Sequence, residues 1–295
     1  MHVFTRTIYK GTFLAIVILL ALVHFSTLMA QGDLQLLKKR VVFEGTQRIE
    51  QLHVTNTGKD TAVYAITFVN NRMTEVGAFE SITEPDPGQY FADQNIRIYP
   101  RRVTLAPGET QAVKLQVTKA NQLAPGEYRS HLYFRAEPGK KPLGEENKDA
   151  AAEKAGISMK LIPIFGISIP VIIRIGEPTA KVTISDLALV KQDNVSYQLN
   201  LKFNRTGNMS VYGDIDVQHI SPKGEKTEVG IVKGFSVYSP NTARTFQMQL
   251  IKPANIDFKS GKLLVTYKPQ GSEKLVKLAD AELVLTPKSL ASNRP

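Results

Sequence analysis

Three histidines lie beyond residue 30, and each stands alone. His53, His131 and His219 sit singly in or beside alternating, strand-like runs. None belongs to an HxH or HExxH spacing or has a carboxylate cluster nearby, so they read as structural and no metal site is expected. Glu84 and Asp86 are close, but the run Glu84-Pro85-Asp86-Pro87-Gly88 is turn chemistry, not a catalytic carboxylate pair. No GxSxG, SxxK or phosphate-cradling glycine loop occurs. The chain has no cysteine, which removes thiol catalysis, redox chemistry and cysteine metal sites. Glycosylation-type triplets begin at Asn194, Asn204 and Asn208, a number chance supplies. Neither an enzyme nor a cofactor is indicated.

The residue types whose spacing does suggest chemistry suggest recognition. From Ile157 to Ile173, ISMKLIPIFGISIPVII, every odd position is apolar: Ile157, Met159, Leu161, Pro163, Phe165, Ile167, Ile169, Val171 and Ile173. A period of two puts all nine on one face of an extended strand. Its two prolines mean that part of it lacks a full set of hydrogen-bonded neighbours, which marks it as an edge strand. A long apolar edge is a hazard that proteins normally design away, so keeping one implies that it is used. A strand lent to another chain supplies main-chain hydrogen bonds for affinity and alternate side chains for specificity. Arg40, in KKRVVFEG, has the forked guanidinium that grips a terminal carboxylate. The blander reading is a core strand and a surface arginine in an ordinary sandwich. Pro163 and Pro170 are seven apart, so their missing donors point to opposite sides of a regular strand. A bulge or the end of regular pairing is therefore expected near Gly166. Lys160 and Pro163 would also keep such an edge from pairing with its own copies.

The elements that position these residues are strands. Residues 1–30 read as an export signal. Arg6 and Lys10 precede the apolar run FLAIVILLALVHF, and Ser26 to Ala30 form a cleavage region. Leu28 at minus three is less suitable than alanine, and an uncleaved anchor is the alternative. About 265 residues follow, enough for two domains with real cores, held by packing without disulfides. The net charge of +10 falls to +8 without the leader, either a solvated basic surface or one that attracts anionic groups such as client carboxylates. No basic stripe interleaved with aromatics occurs, so nucleic acid is not an expected partner. Short alternating runs dominate: Leu34–Leu36, Val41–Phe43 with an irregularity near Lys38, Ile49–Val54, Ala62–Val69, Arg97–Tyr99, Val103–Leu105, Ala112–Val117 and Tyr128–Phe134. Turn signals such as Asn56-Thr57-Gly58-Lys59 and Ala106-Pro107-Gly108 divide them. A polar run of about twenty residues from Glu137 to Gly156 reads as a long loop joining two antiparallel strands, with a weak helical turn at Asp149–Lys154. Glu177-Pro178 marks a boundary. Beyond it come runs at Lys181–Ile184, Tyr197–Phe203, Val211–Val217, Val229–Val232, Thr245–Leu250, Lys262–Tyr267 and Ala281–Leu285. The expectation is all-β: a leader at 1–30, a first β-sandwich domain at 31–176 and a second at 177–295.

RVVFEG at Arg40–Gly45, RVTLAPGETQAVKL at Arg102–Leu115, APGEYRSHLYF at Ala124–Phe134 and SIPVIIR at Ser168–Arg174, in that order and spacing, resemble the periplasmic pilus and fimbrial assembly chaperones of the chaperone–usher pathway. The resemblance spans nearly the whole chain after the leader, and the chain looks like a divergent member. It implies two immunoglobulin-like domains in an L-shaped arrangement, a periplasmic location, and donor-strand complementation without ATP or metal. The partners implied are pilin-like or other surface subunits and an outer-membrane usher, with no small-molecule substrate. Arg40 matches the first-strand arginine that binds a subunit's terminal carboxylate in the inter-domain cleft. The donor positions fall at Leu161, Pro163 and Phe165, with Ile157, Met159 and Ile167 extending the face. Arg174 matches an arginine that orients the two domains. There are departures. The family's cleft lysine falls at Pro170, leaving Lys38, Lys39 or Lys160 to substitute, or Arg40 to act alone. The acid expected opposite Arg174 falls at Arg129, and an asparagine of the family falls at Arg135. From a different class comes the rival reading, an exported two-domain structural or adhesion component of the cell surface. A carbohydrate-binding or enzymatic accessory module would want exposed aromatics or clustered carboxylates, and the chain has no tryptophan.

Overall fold

The computed structural model describes residues 34–137, 165–193, 196–253, 256–271, 276–287 and 290–292. The residues read as a leader, those expected to form a helical turn at Asp149–Lys154, Lys160 and the expected donor positions Ile157, Met159, Leu161 and Pro163 lie outside the described residues. Those described form strands and two single 3₁₀ turns. The first eleven strands are β1 (Leu34–Leu36), β2 (Val41–Phe43), β3 (Ile49–Asn56), β4 (Ala62–Val69), β5 (Asn71–Met73), β6 (Phe79–Ser81), β7 (Ile96–Tyr99), β8 (Arg102–Leu105), β9 (Thr110–Val117), β10 (Gly126–Glu137) and β11 (Gly166–Ile175). Eight more follow: β12 (Lys181–Lys191), β13 (Tyr197–Thr206), β14 (Val211–Ile220), β15 (Lys226–Val237), β16 (Ala243–Leu250), β17 (Lys262–Pro269), β18 (Ala279–Val284) and β19 (Leu290–Ser292).

They make two sandwiches. In the first, a sheet ordered β1-β3-β9-β7 faces one ordered β2-β11-β10-β4-β8, and in the second β16-β13-β12-β19 faces β15-β14-β17-β18. The fold is all-β, as the alternating runs imply. One core runs from Val41 to Ile173 and includes Phe43, Leu52, Ile66, Leu115 and Phe134; the other runs from Val182 to Leu285 and includes Leu199, Phe203, Ile215, Val265 and Tyr267. Strand β13 shows why the sequence folds this way. Tyr197, Leu199, Leu201 and Phe203 are buried while the residues between them are half-exposed, a one-sided strand with a period of two.

Two local devices matter for the site. The irregularity near Lys38 is a change of sheet. Strand β1 pairs with β3 in one sheet, the chain crosses at Leu37–Arg40, and β2 pairs parallel with β11 in the other. The crossing delivers Arg40 to the start of β2. The turn at Asn56–Lys59 is held by the fully buried Asn56 side chain. Its Nδ2 donates to Asp60 O at 2.7 Å and Leu105 O at 2.9 Å, and its Oδ1 accepts from Gly58 N. That satisfies a polar group which burial would otherwise make costly.

The short hairpin β5–β6 belongs to neither sandwich. It reaches the second one: Thr245 N donates to Glu75 O at 2.7 Å, and Asn241 Nδ2 donates to Met73 O at 2.7 Å. At its tip Gly77 (φ +84) lies directly beneath the Arg244 guanidinium, where a Cβ would collide.

Phe134 is wholly buried between the sheets of the first sandwich. Phe134→Ala should lower the unfolding free energy by about 3–5 kcal/mol in urea denaturation. A loss below about 1 kcal/mol would mean that the site collapses to fill the hole.

Candidate functional site

The site begins with the alternation of β11. Ile169, Val171 and Ile173 are buried in the first core and Ile167 packs half-buried against it, while Ser168, Pro170, Ile172 and Arg174 point to the other face. Strand β11 pairs antiparallel with β10 in unbroken register from Gly126↔Ile175 to Arg135↔Gly166. No bulge interrupts the described stretch; one further bond, Ala136 N to Phe165 O at 3.0 Å, continues the ladder to the first described residue. That bond fixes the parity. Odd residues of β11 turn their main-chain groups toward β10, so Pro170 stands at a non-hydrogen-bonded position opposite His131. Its missing N–H costs no ladder bond, which is why a proline sits in this strand without a bulge.

The other side of β11 is largely open. Strand β2 pairs only with Val171–Ile173, and no strand among the described residues pairs with the outer edge of Gly166–Pro170. Phe165, just before it, is 48% exposed. A groove runs along this edge between Ile167, Ser168 and Ile169 on one side and Leu34, Gln35 and Leu36 of β1 on the other.

Lys39 and Ser168 line both this groove and a deeper cleft between the sandwiches. The cleft holds about 440 Å³. Four cations line it: Lys39, Arg40, Lys233 and Arg244. Among the described residues no carboxylate does. Lys233 is tied to Asp214 at 3.1 Å, and Lys38 is drawn away to Glu50 at 2.5 Å. Arg40 is half-buried and held by aromatics of the second sandwich. Its Cζ lies 4.4 Å from the Tyr212 ring centroid and 5.6 Å from that of Tyr238, and its Nη1 donates to Tyr238 Oη at 3.4 Å. Among the described residues Arg40 has no ion pair. A guanidinium fixed on rings, with its fork unspent on carboxylates, is chemically suited to take an anion.

The joint beside the cleft rests on Glu127 of β10. Its side chain is 1% exposed. Its carboxylate accepts from Arg174 Nε at 3.1 Å and Ser210 N at 3.0 Å, and from the Ser210 hydroxyl. Arg174 also pairs with Glu44 at 3.5 Å and donates to Ser210 O at 3.0 Å. The acid facing Arg174 is therefore Glu127, its direct cross-strand neighbour in the β10–β11 register, and Arg129 does not leave that ion pair missing. Arg129, 4% exposed, lies with its Cζ 4.2 Å from the Tyr238 ring centroid.

His131, next in the row, is 4% exposed and meets Phe79 edge to face, with neither ring nitrogen hydrogen-bonded. Burial, then repulsion from Arg129, pushes its pKa from 6.5 down to about 3. It is a neutral wall of the cleft. The structure thus brings Arg40, Ile167, Phe165 and Arg174 around the paired edges of β2 and β11. Sequence reasoning missed Glu127, Tyr212, Tyr238 and the β5–β6 hairpin. The available signal was the polar alternation Glu127, Arg129, His131 within a strand whose other face is core.

No protein-family model matches the chain, and no curated protein matches its sequence. Solved structures do resemble it. The class 5 fimbriae chaperone CfaA is 12% identical, with 86% of this chain and 100% of that chain covered at a TM-score of 0.43. For the Pseudomonas aeruginosa CupB2 chaperone the values are 13% identity, 85% and 100% coverage and a TM-score of 0.38. For the CsuC–CsuE chaperone–tip subunit complex of Acinetobacter baumannii Csu pili they are 15%, 74% and 90%, and 0.37. The chain is similar to fimbrial chaperones of known structure. The likenesses are distant, and the functional reading stands on the geometry above.

Two outcomes test this geometry. Glu127→Ala should destabilise the chain by about 3 kcal/mol, because the amide and hydroxyl of Ser210 and the inner side of Arg174 lose their acceptor; an unchanged urea midpoint would show the joint to be held elsewhere. The second concerns His131, which faces Arg129, Arg40, Lys39 and Tyr238 with no acid lining its cleft. The unfolded chain protonates this histidine near pH 6.5 and the folded chain only near pH 3. Stability is therefore full above pH 6.5 and falls as pH drops toward 3, by up to about 1.4 kcal/mol per unit for one proton. Urea midpoints measured from pH 7 to 4 should fall less steeply for His131→Leu; equal slopes would place the proton uptake on other groups.

Proposed function

We propose that this protein is a periplasmic chaperone that caps pilin-like or other surface subunits by donor-strand complementation and passes them to an outer-membrane usher. The observation that carries the reading is the outer edge of β11, which no strand among the described residues pairs with from Gly166 to Pro170 and which opens through Lys39 and Ser168 into a cleft lined by cations. An unpaired edge offers main-chain groups to a second strand, and the cleft offers Arg40 to a chain terminus. The sequence resemblance points the same way. In this reading the chain divides at Glu177-Pro178 into a donor domain, 31–176, and a second domain, 177–295, after removal of the 1–30 signal. Ile157, Met159, Leu161, Pro163, Phe165 and Ile167 form the donor face, Arg40 takes the subunit's carboxylate, and Arg174 with Glu127 sets the angle between the domains.

The energetics need no nucleotide. Burying four or five large apolar donor side chains contributes roughly 1.5–3 kcal/mol each, against an association cost of about 4–15 kcal/mol. The edge hydrogen bonds and the Arg40 grip add to this sum, giving a stable complex that another donor strand can still replace.

The test is a pull-down from the periplasm with tagged mature protein, comparing wild type with Arg40→Ala and Leu161→Glu. Wild type should recover a small exported partner, and each substitution should reduce that recovery at least tenfold while circular dichroism stays unchanged. Recovery of a partner by Leu161→Glu at wild-type level would exclude strand donation. Recovery only of the protein's own copies, whatever the substitution, would instead identify a structural surface component.

A further inference from the structure

Packed on Tyr238 of the cleft wall, though not itself lining the cleft, is a further guanidinium, Arg129, which forms no ion pair among the described residues. Arg129 is 4% exposed, yet among the described residues its Nε and Nη1 have no hydrogen-bond partner, and its Nη2 donates to Ser239 O at 3.4 Å. Glu127, the acid that acts on it, is already spent on Arg174 and on the amide and hydroxyl of Ser210. The Tyr238 ring offsets part of the cost, with Arg129 Cζ 4.2 Å from its centroid and Arg40 Cζ 5.6 Å from the same centroid. Two arginines therefore share one ring, and Arg40 adds to the cost of the charge on Arg129, which burial raises most. A buried cation with donors left over is a poor stabiliser of a free protein. It becomes favourable when an anion arrives.

We propose that Arg129 is a positioning residue of the cleft's anion seat, its buried charge acting across Tyr238 to hold a carboxylate that Arg40 contacts. The inference rests on the reading of the cleft as the seat of a client's terminal carboxylate, and it adds the charge behind the contact. Arg40, half-buried and in the cleft wall, makes the hydrogen bonds; Arg129, behind the ring, supplies field. Tyr238 is the support common to both, so filling the seat also strengthens the attachment of β10 to the Tyr238–Ser239 segment of the second sandwich.

Acetate is the probe, because it presents the carboxylate alone. Thermal unfolding of the mature chain is followed in sodium acetate against sodium chloride of equal ionic strength at pH 7.5. Wild type should gain on the order of 3 °C in acetate at about ten times the dissociation constant. Arg40→Ala should lose the gain. Arg129→Met should keep or raise the melting temperature in chloride, and should need roughly tenfold more acetate for the same gain, the effect of one charge in a partly screened site. Arg129→Lys, which keeps the charge, should restore the response. If Arg129→Met does not fold, Arg129→Gln is compared with Arg129→Lys in the same way. A merely structural arginine predicts the reverse: a lower melting temperature in chloride and an unchanged acetate response. That result, or a wild type indifferent to acetate, overturns the inference. Neither touches the chaperone reading if the wild type still captures its exported partner, and a wild type that responds to acetate but captures nothing sinks that reading alone.

Discussion

A carboxylate taken almost wholly out of water must be satisfied on every side, and Glu127 is satisfied by three donor groups from two residues. Arg174 reaches it from β11, its direct neighbour in the ladder, and Ser210 gives it both an amide and a hydroxyl from the second sandwich. Those bonds are directional, so they hold the second sandwich against one face of the β10–β11 pair. The rest of the joint follows from that placement. With Ser210 beside Glu127, Tyr238 meets Arg129 and Arg40, and Ser239 N finds the Ser210 hydroxyl at 2.9 Å. The cleft is what remains open beyond this contact, walled on its far side by the β5–β6 hairpin.

The joint is polar and aromatic in character. Its apolar share is small, a cluster of Met73, Ile172 and Tyr238 with Val42 against it. A joint of this kind owes its strength to a few charge-assisted hydrogen bonds and cation–π contacts, each geometrically demanding, and little to area. Such a joint holds Arg40 at a fixed place in the cleft wall. An apolar joint tolerates sliding, whereas a carboxylate shared between an arginine and a serine does not. The price is buried polar groups without partners among the described residues: the Nε and Nη1 of Arg129, and the ring of His131, whose pKa is depressed first by burial and then by Arg129.

How much of this was legible depends on whether a strand is buried on one face or on two. Strands with one wet face announced themselves: Tyr197–Phe203 alternates cleanly, and so do the odd residues of β11 that enter the core. Strand β10 did not. Its even residues Leu132 and Phe134 enter the first core while Glu127, Arg129 and His131 lie buried on the opposite face, so polar residues stand where solvent was expected. The same effect hid the acid facing Arg174, since alignment by resemblance put Arg129 there and only the register identifies Glu127. The β5–β6 hairpin was missed for another reason. Its strands are three residues long and largely polar, too short to carry a period, and they are stabilised by bonds to the second sandwich that no local pattern encodes. Arg40 was legible as a residue type, but Tyr212 and Tyr238, which hold it, are about 170 and 200 positions away in sequence.

The proline at position 170 ties the edge to the cleft. Because odd residues of β11 face β10, the outward donors of the open stretch are the N–H groups of Gly166 and Ser168, and the next outward position is Pro170, which has none. A strand added at this edge therefore gains its ladder up to Ser168 and loses its donor at Pro170, one residue before β2 begins to cover the edge at Val171. Proline and β2 together end the ladder at a defined residue. At that end lie Lys39 and Ser168, where the groove opens into the cleft. In the proposed reading a chain terminus paired along the edge would be released from the sheet beside the cleft, where Arg40 immediately precedes the start of β2. Were a chain terminus bound here as proposed, register and carboxylate recognition would be one constraint: a strand displaced by two residues along the edge would either fail to reach the arginine or forfeit bonds at the proline.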